Sequence, residues 1–139
     1  MQGVRGVTRL LGIVLVALAC AAVLPLGGQA QEAFPFGSEL RLDAPPMKGS
    51  KRVPILDIAD NGSAVIDLWC NSVQGQIVVV ADTITIMTGQ RTERSCPPDR
   101  AQGDDDMVQA LEQVTNWRRQ GDSLILIGPR TLRFRVPTN

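Results

Sequence analysis

The feature that most constrains this chain is its first thirty residues, because they separate a removable leader from the part that folds. Arg5 and Arg9 give a basic start, and Leu10 to Leu26 is an apolar run, LLGIVLVALACAAVLPL. Gly27-Gly28-Gln29-Ala30 closes it, with Gly28 and Ala30 at the two small-residue positions a signal peptidase pocket requires. Pro25 and the glycines break a helix ahead of that site and present it in extended form. Cleavage is expected after Ala30, which sends residues 31–139 as one domain to the periplasm or beyond.

Two other readings fit the same segment less well. A retained membrane anchor needs ~20 apolar residues, and the interrupted, glycine-rich end of the run argues against it. A lipoprotein is suggested by Ala17-Leu18-Ala19-Cys20, which loosely resembles a lipobox. There, however, Ala17 stands where a branched residue is usual, and the chain stays apolar from Ala21 to Leu26.

Arg5 and Arg9 are the only charged residues of the leader, so 12 basic and 14 acidic side chains remain beyond it. A net charge of −2 gives no electrostatic footprint for nucleic acid or an anionic membrane surface, and no stable membrane insertion is expected once the leader is removed. The chain has no histidine and no tyrosine. Neither a Ser-His-Asp nor a Cys-His arrangement can be built, and no histidine can bind zinc.

With Cys20 removed in the leader, Cys70 and Cys96 remain. An even pair in an exported chain is most simply a disulfide, closing a loop worth ~3 kcal/mol if unstrained. The functional alternative is a redox or metal site. No CxxC spacing supports the first, and the absence of a neighbouring histidine or third thiol weakens the second.

From Gln31 on, short alternating segments are separated by turn residues. Strands are expected at 38–42, 53–58, 64–69, 76–81, 83–87, 115–120, 123–127 and 131–136, with Asp60-Asn61-Gly62 as a hairpin turn. Residues 88–103 read as a loop, followed by one helix capped by Asp104 or Asp105, with Met107, Leu111 and Val114 on its core face. The expected fold is α+β and mainly antiparallel β. It is a small barrel or cracked barrel of about seven or eight strands with one inserted helix.

Asp104-Asp105-Asp106 lacks the spacing of a calcium loop and reads as helix capping. Glu93 and Asp99, near Cys96, could pair as acid and base, but neither has a credible pocket or partner. Trp69 and Trp117 read as core anchors, and the basic loop Ala44–Pro54 as a solvated face. No catalytic, cofactor or metal set is expected.

The residues around the first retained cysteine support a family resemblance. Trp69-Cys70-Asn71 followed by Gly75 resembles the central CN…G motif of the META/HslJ domain family. Thr92 and Cys96-Pro97 resemble its second-cysteine segment. Leu111 and Val114, Gly121-Asp122-Ser123-Leu124-Ile125-Leu126, and Leu132-Arg133-Phe134 then follow in the family's order. The resemblance covers residues 60 to 136; Trp69 replaces the commoner glycine before the cysteine, and no opening tryptophan strand is evident.

It implies a small barrel-like α+β domain over residues 31–139, paired cysteines, and a bacterial envelope setting linked to heat shock, drug tolerance or secretion. A non-enzymatic module for envelope maintenance or stress response is the expected function, its partner an envelope protein or a small apolar ligand. The alternative is a periplasmic inhibitor of a protease or lysozyme. Such inhibitors are also small stapled barrels, and Trp117, Leu124-x-Leu126 and Leu132-x-Phe134 are compatible with them.

Overall fold

The computed structural model describes residues 32–136. The leader at 1–30 and the Cys20 alternative lie outside the described residues. The strands are β1 (Ser38–Leu42), β2 (Ile55–Ile58), β3 (Ser63–Asp67), β4 (Ser72–Val80), β5 (Thr83–Arg91), β6 (Asn116–Gln120), β7 (Ser123–Ile127) and β8 (Leu132–Arg135), with one helix, α1 (Pro98–Glu112). Each strand pairs antiparallel with the next, and β8 returns to β1 through Arg41 with Arg135 and Leu42 with Phe134. The sheet therefore closes into the barrel expected from the alternating pattern.

Alternation places one face of most strands inside, while β7 is buried on both faces from Ser123 to Leu126. Leu40 and Leu42, Leu56 and Ile58, Ala64 and Ile66, Ile84 and Ile86, and Leu132 and Phe134 all point into the core. A one-residue slip in any of these ladders would expose that set, so burial itself fixes the register. Full burial of each large apolar side chain is worth about 1.5–3 kcal/mol. Trp69 and Trp117 are both buried, as core anchors should be.

The weak seam of the barrel lies between β5 and β6, which share one register pair, Thr83 with Asn116. Their connection is α1, and it fills the opening. Met107, Ala110 and Leu111 turn inward from it, while Thr88 Oγ1 donates to Glu112 and Arg91 bonds Asp105 at 2.6 Å. The helix thereby covers the edge β5 leaves unpaired, one of the ways proteins protect an open strand.

Two expectations about this region are corrected. β5 continues to Arg91, and α1 begins at Pro98, so the loop expected over 88–103 shrinks to 92–97. Proline suits the first helical position because the missing N–H has no helical partner there, and Asp99 supplies the acid of the first turn. Asp104 and Asp105 therefore lie inside the helix and cap nothing.

The segment ahead of β1 packs against β6. Phe34 packs its ring edge-on to Trp117 at 5.1 Å, and Trp117 Nε1 donates to the Ala81 carbonyl at 2.9 Å. Ala81 begins the β4–β5 turn with φ 52°, a left-handed conformation unusual for a residue with a Cβ.

Candidate functional site

The bend between β3 and β4 carries the motif read from the sequence, and the structure shows why each residue is there. Cys70 is bonded to Cys96. Beside the bridge, the buried Asn71 side chain uses its whole hydrogen-bonding capacity. Its Nδ2 donates to Asp104 Oδ2 at 3.1 Å and to Cys96 Sγ at 3.2 Å. Its Oδ1 accepts from Thr92 Oγ1 at 3.0 Å and from the Arg94 backbone at 2.8 Å. Two donors and two acceptor sites are all an amide offers, so asparagine fits where aspartate or leucine would leave partners unmatched.

Asp104 completes the junction from α1. Its Oδ1 accepts the Cys70 N–H at 3.0 Å and its Oδ2 the Asn71 N–H at 2.8 Å. The residue is 1% exposed, and its hydrogen-bond partners are neutral N–H groups. Burying a carboxylate is costly unless such bonds replace water, so the helix is keyed to this bend. The three aspartates diverge: Asp104 points inward, Asp105 pairs with Arg91, and Asp106 accepts from Gln102 at 2.9 Å. They do not converge on one ion.

Small residues set the distances. A Cβ on Gly75 would stand 3.0 Å from the Met87 carbonyl and 3.3 Å from Ile66 Cδ1, next to the irregularity in the β4–β5 ladder between Val73 and Gly75. Gly103 lets α1 approach Trp69, whose Cδ1 lies 2.8 Å from the position a Cβ would take. Pro97 ends the second-cysteine segment and precedes the first helical residue. All six motif residues thus belong to one structural junction or its immediate supports.

Two surfaces adjoin the junction. The first is an open cleft of about 870 Å³ lined by Asn71, Arg91, Thr92, Glu93, Arg94 and Cys96 among others. Glu93 stands in it, whereas Asp99 does not line it, so the carboxylates considered from sequence are not brought together there. The second is the outer face of β3, β4 and β5. Register places Gln76 beside Met87, Val78 beside Thr85 and Val80 beside Thr83. Val65, Val78, Val80 and Met87 are 48%, 46%, 68% and 49% exposed. From Ser72 to Gln90 the sole charged residue is Asp82, in the turn.

Sequence reasoning missed Asp104 and Arg94 as parts of the junction. Arg94 contributes only a backbone N–H, which leaves no trace in side-chain pattern. Asp104 did leave one: it stands three residues before Met107 and seven before Leu111, on the buried stripe of the helix.

A stapled, closed antiparallel barrel with a helix keyed into its β5–β6 seam defines the class of this domain. The META domain family matches residues 37–137, and the chain belongs to that family. No curated protein sequence matches the chain. A solution structure of a protein from Burkholderia xenovorans is similar in fold, with TM-score 0.62 and 16% identity, over 84% of this chain and 100% of that one. A second solution structure has TM-score 0.58 and 16% identity, over 72% and 89%. At such identities the likeness is one of fold.

Proposed function

We propose that this META-domain protein is an exported, non-enzymatic module that works in the cell envelope by binding another protein through the outer face of β3, β4 and β5. The observation that carries this reading is the exposure of Val78, Val80 and Met87 on β4 and β5, where Asp82 in the turn is the sole charge from Ser72 to Gln90; Val65 on β3 is exposed too, beside Asp57 of β2. Apolar side chains exposed together on one sheet face of a small domain are a mark of interaction sites. The partner surface it suits is itself uncharged, since contact then strips water from no ion. Export is supported by the zones of residues 1–30, and the disulfide agrees with an oxidising compartment.

The experiment is complementation of a deletion strain under envelope stress with Val78→Glu and Met87→Glu variants. Both positions are exposed, so folding and protein level should be unchanged while complementation fails. Full complementation by both variants would remove the face from the function. Titration against secreted metalloproteases and lysozyme checks the other outcome, in which stoichiometric inhibition replaces the envelope-module reading with an inhibitor.

A further inference from the structure

Sulfur and oxygen donors distant in sequence meet at one point in this fold. Cys70 Sγ, Cys96 Sγ and a carboxylate oxygen of Asp104 lie within 4.8 Å of one another. The cysteine spacing alone makes a poor metal site, but Asp104 adds a buried third ligand from α1. Asp104 Oδ1 accepts one hydrogen bond, from Cys70, so a lone pair remains for coordination. Asn71 Nδ2 donates both to Cys96 Sγ and to Asp104 Oδ2, as outer groups do when they orient metal ligands. Cys96 also lines the solvent cleft, which gives an ion a route in.

In the bridged protein the sulfurs are bonded to each other and offer no thiolate. We propose that the reduced protein binds one thiophilic divalent cation of the Zn²⁺ class through Cys70, Cys96 and Asp104, with water from the cleft in the fourth position. The steps balance. A dithiol supplies two electrons and two protons to the bridge and becomes a disulfide, leaving two protein thiols. The cation then displaces both thiol protons to solvent as two metal–sulfur bonds form. The ion takes over the tie between the β3–β4 bend and the 92–97 segment when the covalent bond is lost. This inference is independent of the binding face proposed above.

The test is a Co²⁺ titration of the exported protein after reduction by a phosphine, which ends as its oxide. One equivalent should produce thiolate-to-cobalt charge-transfer absorption that Zn²⁺ abolishes, and the bridged protein should show none. Asp104→Asn should weaken binding by about tenfold or more. X-ray absorption at bound cobalt in the unaltered protein should count two sulfurs with oxygen completing the shell, a readout that does not depend on the variant's folding. Zn²⁺, and not Mg²⁺, should raise the unfolding temperature of the reduced protein. Absence of the charge-transfer band, a cobalt shell holding one sulfur or shared between two protein molecules, or a folded Asp104→Asn variant with unchanged affinity would each overturn the site.

Discussion

Asn71 and Asp104, 33 positions apart, are joined twice: the Asn71 backbone N–H reaches Asp104 Oδ2 at 2.8 Å, and the Asn71 side-chain amide reaches the same oxygen at 3.1 Å. The first of these residues sits beside the disulfide and the second lies within the helix that fills the barrel's seam. Their contact therefore ties three things at once: the β3–β4 bend, the segment leading to Cys96, and α1. Exposed pairs such as Arg91 with Asp105 do not have this role, because solvent leaves them worth about 0–1 kcal/mol.

Gly103 is the close-approach point of α1. Replacing it with alanine improves helix propensity by about 1 kcal/mol. The new Cβ would nevertheless stand 2.3 Å from Met47 Cε and 2.8 Å from the Trp69 ring. Met47 can swing away, but the buried ring cannot. Gly103→Ala is expected to lower stability by about 1–3 kcal/mol net of the propensity gain, measured by urea unfolding. A more stable variant would mean that α1 does not press on Trp69.

Ala81 makes the opposite case. Its positive φ of 52° is unfavourable for an L side chain. Ala81→Gly keeps the backbone carbonyl that Trp117 Nε1 uses while relieving that cost. The glycine chain also gains entropy when unfolded, so the net gain is expected to be small, up to about 1 kcal/mol. Denaturant midpoints of the two proteins check the sign.

The proposed export makes a prediction about covalent state. Native protein recovered from its host's envelope fraction should begin at Gln31 and gain about two hydrogens on reduction. Intact-mass measurement before and after reduction reads both. A lipid-modified species starting at Cys20 would move the domain to a membrane surface, and full-length reduced protein in the cytosol would contradict export altogether.

Much of this architecture was legible in the sequence. Period-two alternation with Gly62 and Gly121 at turns marked the strands, and β1 and β7 fall where expected. The residues around Cys70 and Cys96 were marked by the even pair of retained cysteines and by their resemblance to the family motif. What escaped was the region from Thr88 to Asp106. Its polar residues carry no alternation, since the far end of β5 has a helix instead of a strand beside it. The aspartate triplet resembled a cap because local sequence cannot show that a bend 33 positions earlier needs a carboxylate. In such a place the long-range partner, and not local propensity, decides the residue.

The most direct test of the junction is a double-mutant cycle with Asn71→Ala and Asp104→Ala, read by equilibrium urea unfolding of the oxidised protein. Each single change should cost about 2–4 kcal/mol, since each strands buried hydrogen-bond partners. The backbone N–H bonds to Asp104 are lost in every background lacking its carboxylate, so they cancel, and the cycle isolates the side-chain coupling. The account predicts a coupling energy of at least about 1 kcal/mol, with the double variant less destabilised than the sum of the singles. Additivity within about 0.5 kcal/mol would contradict it, and would mean that Asn71 and Asp104 act on the fold separately.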